Sequence, residues 1–136
     1  MSSTTDKFTG NWALIPELCQ YQDGHPPVDG SYLISTEGEI VKLVLQWTDE
    51  NGKAHKLDHG GRIDGSVQAI SNGKIEASYT RVDSQRLDSS MYAGGRETSY
   101  SHRKISDDGT LMVVMIEHHH LTRPSTHNFQ VYRRVD

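Results

Sequence analysis

The chain holds one cysteine, Cys19, so no intramolecular disulfide can form and the fold does not depend on oxidation. It has no long apolar run. The longest, Leu111–Ile116, is far too short to span a membrane as a helix, and Met1–Lys7 carries no apolar leader. These absences give the expectation of a cytoplasmic protein with no membrane partner. Excess positive charge is also missing: fourteen basic side chains face eighteen acidic ones, a net charge of −4, which argues against nucleic acid as a partner. Helical periodicity of apolar residues is absent throughout, and three of the four prolines, Pro16, Pro26 and Pro27, fall in one stretch that excludes a long helix there.

What is present is strand patterning. At 136 residues the chain is the size of one domain. Residues Met1–Lys7 read as a disordered lead-in, 8–136 as a single β domain. Phe8–Ile15 reads as a first strand and Pro16–Gly30 as a long loop with at most one helical turn at Glu17–Tyr21. Ser31–Thr36 and Glu39–Thr48 follow; in the latter Val41, Leu43, Leu45 and Trp47 alternate with polar residues. Asn51-Gly52 and Asn72-Gly73 are hairpin dipeptides. Lys53–His59 and Arg62–Ala69 are weaker strands separated by Gly60-Gly61. Lys74–Val82, Arg86–Ala93, Arg96–Ile105, Thr110–His119 and Asn128–Val135 complete the pattern. Eight to ten short strands joined by tight turns predict an all-β, antiparallel, up-and-down barrel, which leaves few open edges.

In a small barrel one face of every strand lines the interior. The apolar and aromatic candidates for that lining are Leu43, Leu45, Trp47, Tyr79, Met91, Met115 and Tyr132; Tyr100, His102 and Arg134 are the candidates to orient a carboxylate or carbonyl. This set predicts a small apolar or amphipathic ligand. Two rival readings use the same residues. One is a barrel enzyme with His102 and Tyr100 or Glu97 as acid and base. The other is an interaction module whose barrel is filled solid. Leu111–Ile116 is apolar in both parities, which predicts cover on its outer side from a homodimer contact or from the N-terminal segment. The eight histidines include His118 and His120 at metal-compatible spacing, but no flanking ligand pattern accompanies them. They read as solvated side chains at a strand end, so no metal or cofactor is expected. Cys19 reads as a small apolar plug and the glycine pairs as turns.

Gly10-Asn11-Trp12 resembles the Gly-x-Trp motif of the lipocalins, and Tyr132-Arg133-Arg134 falls where lipocalins and fatty-acid-binding proteins carry a late arginine or tyrosine. The order Phe8–Trp12, Pro26-Pro27, Asp49–Lys53, Gly94–Arg96, Ser106–Leu111 and Phe129–Val135 resembles a group of small bacterial lipocalin-like proteins, mostly without an assigned activity. The resemblance implies a calycin barrel with a central cavity. It also implies a base built on Gly10 and Trp12 and closed by an arginine, Arg133 or Arg134; giving Arg133 that role leaves Arg134 to the ligand set. Paired cysteines and a C-terminal helix, common in secreted carriers, are missing here.

Overall fold

The computed structural model describes residues 7–70 and 73–135. All of the Met1–Lys7 lead-in except Lys7, and half of the Asn72-Gly73 dipeptide, lie outside them. Eleven strands follow in order: β1 Gly10–Leu14, β2 Gln20–Tyr21, β3 Asp29–Glu37, β4 Ile40–Thr48, β5 Ala54–Arg62, β6 Gln68–Ile70, β7 Ile75–Asp83, β8 Arg86–Ala93, β9 Arg96–Ile105, β10 Leu111–His118 and β11 Thr126–Arg134. All pairings are antiparallel. Ten strands run in the order β5-β4-β3-β1-β11-β10-β9-β8-β7-β6, with β2 added alongside β11. The sheet curls until its two ends meet, giving a nearly closed barrel.

The seam lies between β5 and the β6–β7 hairpin, and side chains bridge it. Gln68 accepts from the Arg62 backbone N–H through Oε1 at 2.9 Å and donates from Nε2 to the Arg62 carbonyl at 2.9 Å. The Gly65 N–H reaches the Tyr79 carbonyl at 2.9 Å. This corrects one expectation: Gly60-Gly61 does not break the chain into two strands. Both glycines sit within β5, because a side chain would not fit. A Cβ at Gly60 would lie 2.2 Å from the Val41 carbonyl oxygen, and one at Gly61 2.5 Å from the Gln68 amide. The Pro16–Gly30 segment contains a short 3-10 turn, Pro16–Leu18, where Pro16 opens the turn without losing a needed donor.

Alternation along each strand places the core. Phe8, Trp12, Ile34, Val41, Leu43, Leu87, Ile105 and Met112 fill one end of the barrel completely. Trp12 donates its indole N–H to the Phe8 carbonyl at 3.0 Å, and the Arg134 guanidinium caps its ring at 4.3 Å. Arg134 is held there by the carbonyls of Gly109, Thr9 and Lys7. The base arginine is therefore Arg134. Arg133 points outward because β11 pairs Trp12 with Arg134 and Ala13 with Arg133, and register fixes parity.

Candidate functional site

Above this apolar base the interior opens. A cavity of about 360 Å³ is lined by Tyr32, Leu45, His59, Ser89, Met91, Ser99, Ser101, Arg103, Val114 and Ile116, among others. A second lobe of about 360 Å³ towards the open end is lined by Tyr21, His25, Pro27, Trp47, His118, Asn128 and Tyr132, and shares Leu45, Leu57, Ile116 and Gln130 with the first. Volumes of this order suit a small organic ligand. The barrel is thus solid at one end and hollow at the other.

Of the proposed lining, Leu45, Trp47, Met91 and Tyr132 stand on the cavity wall. Leu43 and Tyr79 also point inward but are sealed in the packed core. Arg134 belongs to the base. Tyr100, His102 and Met115 are the corrections: all three face outward. On β9 the inward parity is Ser99, Ser101, Arg103 and Ile105, so Tyr100 and His102 lie on the outside. On β10 it is Met112, Val114 and Ile116, which turns Met115 out beside Phe129. Outside, Tyr100 donates to the Asp88 carboxylate, Arg86 forks onto Asp88 at 3.0 Å, and Arg86 also reaches the His102 ring at 3.1 Å. Burial works to raise the Asp88 pKa, but the Arg86 and Tyr100 hydrogen bonds win and hold the carboxyl below its usual range. Glu97 turns away to His119 at 2.8 Å. The acid–base trio of the enzyme reading does not converge in the cavity.

The residue that sequence reasoning missed is Arg103. It is 3 % exposed. Its Nε donates to the Tyr32 hydroxyl at 2.7 Å and its Nη1 to Ser89 Oγ at 3.1 Å. No carboxylate among the described residues pairs with it. Nearby, His59 Nδ1 lies 2.7 Å from the Tyr79 hydroxyl. Burial first, and the Arg103 charge second, push the His59 pKa down to about 3. Burial raises Tyr79 to about 12. The cavity floor therefore holds one fixed cation among neutral groups. Arg103 was hidden because Ser99, Ser101 and Arg103 read as a wet outer face; Ile105, at the same parity, was the signal that this face is inside.

Higher up, Gln130 donates to the Tyr21 hydroxyl at 2.5 Å and accepts from Tyr132 at 2.9 Å. Asn128 Oδ1 accepts from the Gln22 and Asp23 N–H groups, lacing the loop after β2 to β11 across the open end. The rim carries histidine–carboxylate pairs: His55 with Asp49 at 2.8 Å, His25 with Glu50 at 3.6 Å and His120 with Asp23 at 3.7 Å. His118 points into the mouth lobe, and no group of three or more metal-ligating side chains forms among the described residues.

No protein-family model matches the chain, and no curated protein matches its sequence. Solved structures do match. A variant of the REP1-NXSQ fatty acid transporter is 15 % identical with a TM-score of 0.59, the match covering 93 % of this chain and 97 % of that one. Rv2717c from M. tuberculosis is 15 % identical with a TM-score of 0.60, over 96 % and 94 %. A zebrafish ileal bile acid-binding protein, crystallised with cholic acid, is 10 % identical with a TM-score of 0.56, over 95 % and 99 %. At such identities the likeness speaks for the fold alone. The chain shares the fold of these structures, an antiparallel, nearly closed barrel of ten strands.

Proposed function

We propose that the barrel binds a small amphipathic acid, its apolar body in the cavity and its carboxylate against Arg103. One observation carries the reading. A guanidinium buried among neutral hydroxyls costs several kcal/mol unless an anion joins it, and no carboxylate among the described residues does. The Tyr32 and Ser89 hydroxyls orient the fork without neutralising it. The surrounding wall of Leu45, Met91, Val114 and Ile116 supplies apolar burial. Two structural neighbours point the same way: one is named a fatty acid transporter and another was crystallised with cholic acid.

The test is a matched pair of ligands, stearate and stearyl alcohol, in competition with a fluorescent fatty acid. Wild type is expected to favour the acid by about 10- to 100-fold, the range for a charge-assisted hydrogen bond to a buried cation. Arg103→Met is expected to remove the preference while leaving the alcohol bound. Equal affinities of wild type for acid and alcohol sink the reading.

A further inference from the structure

The inner wall carries a polar stripe along β9. On β9, Ser99, Ser101 and Arg103 succeed one another at alternate positions, all lining the inner lobe. Across on β8, Ser89 stands opposite Ser101 and Met91 opposite Ser99. The rest of the lobe is lined by hydrocarbon, Leu45, Leu57, Ile70, Val114 and Ile116, and by polar groups already bonded within the protein: Tyr32 to Arg103, His59 to Tyr79, and Gln130 to Tyr21 and Tyr132. Ser89 is occupied by Arg103. The hydroxyls of Ser99 and Ser101 make no hydrogen bond to a described residue, and neither is sealed from the cavity as a buried orphan. Two donors thus face the ligand space with no protein partner, in line with the cation.

A plain hydrocarbon chain pressed against this stripe strips water from both hydroxyls and returns no hydrogen bond, an unfavourable exchange. A ligand with its own hydroxyls along one edge replaces that water. Alternate residues on a strand are about 6.6 Å apart, so the stripe offers three recognition points at roughly that interval: a carboxylate at Arg103, then hydroxyls at Ser101 and Ser99. The hydrocarbon side chains Leu45, Leu57, Ile70, Val114 and Ile116 take an apolar face. We propose that Ser99 and Ser101 select a facially amphipathic acid, hydroxylated along one face and hydrocarbon on the other, over an unsubstituted acid of the same skeleton. This rests on the reading of Arg103 as the carboxylate anchor.

The experiment compares cholate with cholanate, the same skeleton bearing no hydroxyl, by displacement of 1-anilinonaphthalene-8-sulfonate. Stearate and stearyl alcohol run in parallel. Wild type is expected to bind cholate about tenfold or more tighter than cholanate, the worth of one to two net hydrogen bonds. The double variant Ser99→Ala, Ser101→Ala is expected to abolish that preference, by weakening cholate and tightening cholanate. It should retain the wild-type near-ultraviolet circular dichroism and the acid-over-alcohol preference for stearate. Equal affinity of wild type for the two steroid acids overturns the proposal, as does a preference that survives in the double variant. If acid-over-alcohol discrimination holds while hydroxyl discrimination is absent, only the serine stripe fails. If wild type shows no acid-over-alcohol discrimination, the anchor itself fails.

Discussion

Arg134 and Arg103 both place a guanidinium against apolar side chains, one beneath Trp12 and one on the cavity floor. Arg134 donates to three backbone carbonyls, and its guanidinium lies over the indole at 4.3 Å. Removing it strands those acceptors and uncovers Trp12. Arg103 is answered by two hydroxyls and, among the described residues, by no anion. Removing it deletes a buried charge at the cost of two hydrogen bonds. Arg134→Met is therefore expected to lose about 2–4 kcal/mol of unfolding free energy. Arg103→Met is expected to change the apo protein by less than about 1 kcal/mol, or to stabilise it, as removal of a strained functional group often does. Urea midpoints of the two variants check this. A loss at Arg103→Met as large as that at Arg134→Met would make Arg103 a structural residue.

On the strands, the same alternation that made the fold legible concealed the site. Val41, Leu43, Leu45 and Trp47 announce β4 and its inward face in one reading. The turn at Asp49–Lys53 sets its neighbour β5, and the turn at Ser106–Leu111 pairs β9 with β10. β9 defeats the rule because the cavity inverts it: the polar parity faces in and the aromatic parity, with Tyr100 and His102, faces out onto Arg86 and Asp88. β10 was ambiguous for a different reason. Both parities are apolar, so register alone decides, and pairing with β9 and β11 turns Met112, Val114 and Ile116 inward. The outward Leu111 remains 41 % exposed, whereas Met112 is sealed at 0 %. Met115→Lys is thus expected to change stability by less than about 1 kcal/mol, while Met112→Ala costs about 2–5 kcal/mol. Thermal melts of the two variants measure the contrast, and a larger loss at Met115 would overturn the inward assignment. Light scattering on wild type and Met115→Lys adds a second reading, since a self-contact through 111–116 requires their masses to differ.

For the whole molecule, the hollow end sets how stability responds to pH. His59 keeps a pKa near 3 in the folded protein, against an ordinary value of 6.5. Below about pH 6.5 the unfolded chain takes up a proton at this site and the folded chain does not, down to about pH 3. The unfolded state binds more protons in that window, so stability is full above it and falls as pH drops through it. His118, also lowered chiefly by burial, acts in the same direction. The carboxylates held below their usual range, among them Asp49, Asp64 and Asp108, contribute only as pH falls below the ordinary carboxylate value of 3.8. Between pH 7 and 5 the slope therefore belongs to the buried histidines. Wild type is expected to lose about 1–2 kcal/mol over that interval, and His59→Gln, which keeps a neutral hydrogen-bonding side chain beside Tyr79, to lose less than half as much. Parallel declines in urea midpoint would remove His59 as the cause. A carboxylate bound at Arg103 cancels only the second contribution to the His59 shift while burial, the larger one, remains, so a saturating acid ligand should leave the wild-type slope between pH 7 and 5 nearly unchanged. By linkage the affinity for an ionised acid then changes little between pH 7 and 5; an affinity that rose steeply as pH fell through that interval would show that burial does not keep His59 neutral in the complex.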